Sequence, residues 1–242
     1  MDDEQALRTK SYRWLVWSLA GVFVISCLAL VVYALNAIPT DPAEHHYTQP
    51  YEYYLYVPRT YTAERSWPVF VGIHGSSGSG IHCWYWWQSF ADKEGFILIC
   101  PTLTEAGGGW HQSDGERKVS AVISQVGSEY SLEEHLYLAG FSAGAQLVQG
   151  YAFRNPHSVK GVAVLSPGYA FSSTLNAQDI PFLVITGDRE TPRRLAATQR
   201  LVSLLEQNNF DVEYHLLHGV GHTLTNEARK LTIEHFRKVN EQ

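Results

Sequence analysis

The chain has 242 residues, with 18 basic and 24 acidic side chains and a formal net charge of −6. This balance excludes an extended basic surface, so no nucleic-acid partner is expected. Hydrophobic residues make up 45% of the chain and only 3 residues are cysteines, which excludes both a disordered chain and a small fold held by disulfides.

The first predicted element is an apolar segment near the N-terminus. No charged residue occurs between Arg13 and Asp41, and within that gap residues 14–35 form a run of 22 residues. A helix of that length can cross a hydrocarbon layer of about 30 Å, so we predict a transmembrane anchor at 14–35. Basic residues precede the run and the next one is Arg59. The positive-inside rule therefore predicts a cytoplasmic tail at 1–13 and an extracytoplasmic domain.

A cleaved signal peptide is the alternative interpretation of this segment, and it would make the protein secreted. The apolar core of a signal peptide usually has about 7–15 residues and ends at a site with small residues. The run at 14–35 is longer, and the best candidate site, Leu35-Asn36-Ala37, has leucine where a small residue is required. The sequence favours an uncleaved, single-pass anchor.

A polar stretch with two prolines, residues 36–49, is predicted to link the anchor to a folded domain at 50–242. Within that domain, short β-rich runs alternate with helical stretches. The valines and isoleucine of 119–126 fall on one helix face, and another helix is expected from Pro192. The predicted strands are 51–57, 68–74, 96–100, 136–141, 159–165, 182–186 and 212–217. The alternation predicts an α/β fold with a doubly wound, mostly parallel sheet.

In such sheets, active sites gather at the carboxyl ends of the strands. The second predicted strand ends in a glycine- and serine-rich loop that runs to Gly80. A loop of this kind can direct a backbone N–H group at an oxyanion. The candidate donors are the N–H group of Ser76 and, further along the chain, that of Ala143. An aromatic cluster at 84–90 follows the loop. Trp84, together with Trp110 after the next strand, is a candidate for the wall of a substrate pocket.

Residues 140–144, Gly-Phe-Ser-Ala-Gly, match the G-x-S-x-G pattern of a serine nucleophile. The pattern follows a β-rich run and precedes a helical one, which is the strand–turn–helix setting that a nucleophile elbow requires. Small residues at 140 and 144 allow the strand and helix to approach each other closely. We therefore predict that the hydroxyl of Ser142 projects at the edge of the sheet.

A serine nucleophile needs a base, because its hydroxyl is not ionised at neutral pH. His222 follows the last predicted strand in a glycine-containing loop, and the expected chain order is serine, acid, histidine. The acid belongs in the loop after the strand at 182–186. Asp188 and Glu190 both meet this condition, and either could hold the imidazole in the required tautomer.

These motifs together resemble the α/β-hydrolases, of the small esterase type related to carboxylesterases, phospholipases and polyhydroxybutyrate depolymerases. The resemblance covers the chain from about Tyr51 onward. It includes Tyr-Leu-Tyr-Val-Pro at 54–58, Ile-His-Gly at 73–75, the serine motif, Gly-Asp-Arg-Glu at 187–190 and Gly-His at 221–222. In the family the acid commonly lies three residues after the glycine. The resemblance therefore implies Glu190, although this sequence has glutamate there and an aspartate at 188.

The resemblance implies a serine hydrolase that cleaves small-molecule or lipid-like carboxylic esters without a cofactor or metal. A thioesterase or another acyl hydrolase would use the same residues. A binding module that keeps the fold without catalysis is a further alternative. Cys83 and Cys100 could pair in an oxidising compartment, although Cys100 is also typical of a strand in the core.

Overall fold

The computed structural model describes residues 17–28, 41–105, 109–171 and 175–241. The chain divides into two units, Met1–Asp41 and Pro42–Gln242. In the first unit, residues 17–28 form a helix, α1, whose large apolar side chains, such as Phe23 and Ile25, are exposed. Across the described ranges, none of the helices combines the length and the apolar character that a membrane crossing requires. The predicted anchor at 14–35 extends beyond the described residues on both sides, and the predicted tail at 1–13 lies outside them.

The second unit is built on an eight-stranded sheet with the order β1-β2-β4-β3-β5-β6-β7-β8. The strands are β1 (His46–Tyr47), β2 (Tyr53–Tyr56), β3 (Trp67–Ile73), β4 (Ile97–Pro101), β5 (Leu132–Phe141), β6 (Val159–Leu165), β7 (Phe182–Gly187) and β8 (Val212–Leu217). The strands from β3 to β8 run parallel, while β2 pairs antiparallel with β1 and with β4. The prediction of a mostly parallel α/β sheet is confirmed.

Helices cover both faces of this sheet. They are α2 (Gly80–Glu94), α3 (Gln112–Glu129), α4 (Ala143–Arg154), α5 (Pro192–Gln207) and α6 (Asn226–Asn240), with short 3₁₀ turns at Pro42–His45, Pro156–Ser158 and Leu175–Ala177. Successive side chains of β3 alternate between the faces. Val69 and Val71 belong to the core cluster that includes residues of α3, α4 and α5, whereas Phe70 contacts Trp87 of α2 and Phe236 of α6 on the other face. Burial on both faces explains why the central strands are almost continuously apolar, and the arrangement is doubly wound.

The folded unit begins earlier than the sequence predicts. The predicted linker at 36–49 includes residues 42–47, which in the structure form a 3₁₀ turn and the edge strand β1. His46 pairs with Tyr54 and Tyr47 pairs with Tyr53, and the rings of both pairs stack. A strand of two residues is too short to show the alternating pattern of a strand in the sequence. Only its pairing with β2 in the folded structure identifies it.

Cys83 and Cys100 lie on the same face of the sheet as free, fully buried thiols. Burial raises the pKa of the Cys100 thiol well above its usual value. The structure therefore has no disulfide between these two residues, and Cys100 takes the core position that its strand predicts.

Candidate active site

Ser142 occupies the tight turn between β5 and α4, with backbone angles φ 56° and ψ −112°. Residues other than glycine rarely adopt a positive φ, so the turn is strained. A Cβ atom on Gly140 would lie 2.2 Å from the carbonyl oxygen of Gly144, so only glycine fits where the strand and helix cross. This is the geometry of a nucleophile elbow, and it brings the hydroxyl to the carboxyl edge of the sheet.

His222 lies in the loop after β8, and its imidazole connects Ser142 to Glu190. Its Nε2 atom is 2.9 Å from Ser142 Oγ, and its Nδ1 atom is 2.6 Å from Glu190 Oε1. Because an ionised carboxylate can only accept, Nδ1 carries the proton and Nε2 accepts from the hydroxyl. The ring of Phe141 stacks on the imidazole with centroids 4.9 Å apart, which restricts the ring's orientation.

Glu190 reaches the imidazole from the turn after β7, and only 1% of its side chain is exposed. Its second oxygen, Oε2, is buried without a hydrogen-bond partner among the described residues. The nearest cation is the Nε atom of Arg194, which lies 3.8 Å from Oε2. Because the carboxylate is almost fully buried, water screens its charge weakly, and the charge acts strongly on the neighbouring imidazole.

Asp188, the other acid that the sequence allows, does not contact His222. Its carboxylate accepts a hydrogen bond from the backbone N–H group of Gly219 at 2.7 Å and faces His218 Nδ1 at 3.1 Å. The hydrogen bond with His218 is the largest cause of a lowered pKa for Asp188. The structure therefore brings Glu190 to the imidazole, whereas Asp188 fixes the start of the loop that carries it.

The two residues predicted to supply oxyanion donors, Ser76 and Ala143, are both near Ser142. Ala143 is the first residue of α4, and an N–H group at that position has no acceptor within the helix. Ser76 lies in the turn after β3 and lines the cleft over Ser142. A Cβ atom on the adjacent Gly75 would be 3.4 Å from the Cβ atom of Ser142. The backbone of this turn therefore runs beside the hydroxyl, as an oxyanion site requires.

His74 holds that turn in place. Its fully buried imidazole donates from Nδ1 to the carbonyl of Gly75 at 2.6 Å and accepts at Nε2 from the N–H group of Leu103 at 2.9 Å. Burial lowers the pKa of His74 to about 4, so the ring is neutral near pH 7 and can both donate and accept. The sequence indicates His74 only as part of the Ile-His-Gly motif. Nothing in that motif predicts the hydrogen bonds of His74 with Gly75 and Leu103.

A cleft of about 380 Å³ opens over the serine. Its lining combines the glycine–serine turn with aromatic and cationic side chains: Gly75, Ser76, Ser77, Gly78, His82, Trp86, Phe141, Ser142, Arg194 and His222. Trp86 and Phe141 contact each other edge to face, with centroids 5.9 Å apart. The cleft therefore has an apolar wall beside the reacting groups.

The prediction that Trp84 and Trp110 line the substrate pocket is wrong, because neither residue borders this cleft. Trp84 is buried on the face of α2 that packs against Tyr56. Trp86 lies two residues further on, about 200° around the helix, and faces the cleft instead. Trp110 packs into the core with its ring edge-on to His74.

Three further residues of the cleft were not singled out as site residues by the sequence: His82, Phe141 and Arg194. Phe141 is the variable position of the serine motif, so the motif could have indicated it. Arg194 has no sequence signal, since it is one of several cations on α5. Within the described ranges, no group of three or more His, Cys, Asp or Glu side chains could hold a metal ion.

The sheet order and the strained serine turn are those of an α/β-hydrolase-like fold, in which serine, histidine and glutamate side chains meet at the carboxyl edge of the sheet. No protein-family model matches the sequence. Similar proteins are nevertheless found among curated sequences and among solved structures.

Feruloyl esterase B of Thermothelomyces thermophilus is 28% identical over 175 residues, which cover 65% of this chain and 56% of the relative. Carboxylesterase SOBER1 of Arabidopsis thaliana is 26% identical over 120 residues, 47% of this chain and 53% of the relative. The chain spans about half the length of the curated relatives it matches. The crystal structure of esterase PE8 aligns with a TM-score of 0.63 and 16% identity, over 76% of this chain and 97% of that one. The predicted resemblance to small esterase-type α/β-hydrolases is confirmed.

Proposed function

We propose that the protein is a serine esterase that hydrolyses carboxylic esters through an acyl-enzyme on Ser142. The observation that carries the proposal is the continuous hydrogen-bond relay from Ser142 through His222 to Glu190, with distances of 2.9 and 2.6 Å. The similar curated proteins are a feruloyl esterase and a carboxylesterase, which supports the same reaction class.

In the proposed first half-reaction, Ser142 Oγ attacks the ester carbonyl while His222 Nε2 takes its proton. Negative charge develops on the carbonyl oxygen, and the backbone N–H groups of Ser76 and Ala143 stabilise it. His222 then gives the proton to the leaving alcohol. Glu190 keeps Nδ1 as the donor and stabilises the imidazolium that forms during the step.

In the proposed second half-reaction, His222 removes a proton from water, and the resulting hydroxide attacks the acyl group on Ser142. The acyl–oxygen bond breaks, the proton returns to Ser142, and the carboxylic acid leaves. The groups of the site supply every proton transfer, so the scheme needs no cofactor. The apolar wall of Trp86 and Phe141 suits an apolar part of the ester beside the reacting carbonyl.

The test uses the full-length protein in detergent and two readouts, turnover of short-chain para-nitrophenyl esters and labelling by a fluorophosphonate probe. We expect both readouts with the wild type and neither with Ser142→Ala. The matched control is Ser203→Ala, which changes an exposed serine on α5 and should retain both. A folded wild-type protein that takes up no probe would contradict the proposal.

We also propose that residues 14–35 anchor the enzyme in a membrane, with its catalytic domain on the extracytoplasmic side. The charge-free run of 22 residues and the exposed apolar side chains of residues 17–28 support this. In intact cells, protease added from outside should digest the catalytic domain. Val24→Arg places a charge within the run and should move protein to the soluble fraction. A catalytic domain protected from outside protease would contradict the proposed orientation.

A further inference from the structure

A second cleft, of about 420 Å³, adjoins the cleft over Ser142, and Arg194 lines both. We call it the arginine cleft. Its lining is polar and carries two guanidinium groups: Gln146, Gly168, Tyr169, Thr191, Arg193 and Arg194. No carboxylate belongs to the described lining. The volume lies within the range of about 300–1,000 Å³ that is usual for small-molecule sites.

The guanidinium groups of the arginine cleft form no hydrogen bond with a carboxylate of the described residues. Arg193 is exposed and forms no ion pair with any carboxylate in the described part of the chain. Arg194 approaches Glu190 only to 3.8 Å, beyond hydrogen-bond distance. Two guanidinium groups in one concave site therefore retain donors for a bound anion, on a protein whose overall charge is −6.

Gly168 keeps this cleft open. A Cβ atom at that position would lie 2.5 Å from the side-chain nitrogen of Gln146 and 3.6 Å from a terminal nitrogen of Arg194. The absence of a side chain therefore leaves both groups accessible from the cleft. Guanidinium groups bind carboxylates in a planar, two-point arrangement, and an amide N–H₂ group can add a further hydrogen bond.

We propose that the arginine cleft binds a free carboxylate carried by the ester substrate, so that the preferred substrates are monoesters of dicarboxylic acids or esters of carboxylated alcohols. The inference rests on the proposed esterase function. Because Arg194 borders both clefts, one molecule can place its carboxylate at Arg193 and Arg194 and its ester carbonyl at Ser142. Arg193 and Arg194 then determine specificity, while the relay of Ser142, His222 and Glu190 performs the chemistry.

The substrate test compares esters of matched size that differ in one charge. Para-nitrophenyl 5-methylhexanoate, in which an isopropyl group replaces the carboxylate, is compared with mono-para-nitrophenyl glutarate for the acyl side. An acetate ester of a neutral alcohol is compared with that of a carboxylated alcohol for the other side. The wild type should favour at least one anionic ester in kcat/KM by about tenfold, the value of one good charge-assisted contact. Added salt should reduce that preference.

Substitutions of Arg193 test whether the preference for anionic esters depends on the arginine cleft. Arg193→Gln should lower the anionic-to-neutral ratio of kcat/KM about tenfold, and Arg193→Lys should restore part of it by returning the charge. The matched control is Arg200→Gln, which removes an exposed cation from the same helix outside the cleft and should leave the ratio at the wild-type value. An unchanged ratio in Arg193→Gln overturns the inference.

A binding measurement separates this inference from the proposed function. Glutarate binding to the full-length protein by calorimetry does not depend on turnover, and Arg193→Gln should weaken it about tenfold. Turnover of neutral esters without any preference for anionic ones, and without glutarate binding, would refute the anion site and leave the esterase proposal intact. Glutarate binding in a protein that hydrolyses no ester would refute the esterase and the specificity role together.

Discussion

Replacing Glu190 with glutamine removes one charge from the candidate relay and little else. The two side chains have the same shape, and the amide oxygen of glutamine can still accept from His222 Nδ1. The variant therefore separates the electrostatic contribution of the carboxylate from its contribution to holding the ring. The contrast is informative because the side chain is only 1% exposed, so water screens its charge weakly.

The magnitude follows from the distance in the relay. Nδ1 of His222 and Oε1 of Glu190 are 2.6 Å apart, so the centres of the two charged groups are about 4 Å apart in the imidazolium state. At an effective dielectric constant of about 20, that pair attracts by about 4 kcal/mol. Losing this attraction when the imidazolium forms should lower kcat about a thousandfold, with a small effect on KM.

The assay is steady-state turnover of a neutral para-nitrophenyl ester, with thermal melting to verify that each variant is folded. Asp188→Asn is the matched control, because it also removes one charge and its amide oxygen can still accept from Gly219. Because Asp188 is only partly buried and does not contact His222, its substitution should change kcat by about twofold at most. If Asp188→Asn lost about a thousandfold while Glu190→Gln stayed near the wild type, our assignment of the acid would be refuted.

Gly144→Ala should destabilise the protein by about 1–3 kcal/mol and abolish activity, because the new Cβ atom would lie 2.4 Å from a carbonyl oxygen at the end of β3. Thermal melting measures the loss of stability and ester turnover measures the loss of activity. A variant with the wild-type melting temperature would contradict this prediction. Burial lowers the pKa of His74 and of His235 from 6.5 to about 4. Protons then bind the unfolded chain preferentially as pH falls from 6.5 to 4, so the free energy of unfolding should drop by about 2 kcal/mol per histidine near pH 5; urea titrations near pH 7 and pH 5 should reveal this, and equal stability at both would show the reasoning to be wrong. Trp86→Ala should raise KM for aryl esters about tenfold, as expected for loss of a large apolar contact. Trp84→Ala, in contrast, should lower the free energy of unfolding by about 3–5 kcal/mol. A loss of stability in Trp86→Ala together with a raised KM in Trp84→Ala would exclude our placement of the two rings.

The parts of the fold that the sequence predicts are those with strong local signals. The strands at Val159–Leu165 and Val212–Leu217 have the predicted bounds, because polar residues flank each β-rich run on both sides. The serine turn is predictable for a steric reason, since the glycines at 140 and 144 are required wherever a strand and helix cross so closely. A short motif can therefore specify a strained backbone without any information from distant residues.

The parts that the sequence does not predict depend on contacts between distant residues. A rotation of about 200° around α2 separates Trp84 from Trp86, and the aromatic run at 84–90 does not indicate which of the two rings faces the cleft. The start of β5 shows the same limit. The strand begins at Leu132 rather than at residue 136, because Trp67 of β3 pairs with Leu132. The polar residues 133–135 lie in a register shift before Val69 pairs with Leu136.

The choice between the two acids is the sharpest example, because both act on the histidine loop from one turn. Asp188 holds the backbone at Gly219, and the N–H group of Arg189 donates to the carbonyl of Val220 at 2.9 Å. A Cβ atom on Gly187 would lie 2.1 Å from that same carbonyl, so the turn and the loop are in direct contact. Two residues after Asp188 the chain has turned inward, and Glu190 contacts the imidazole of His222. An acid at each position is therefore explained by two tasks, one that positions the loop and one that positions the ring.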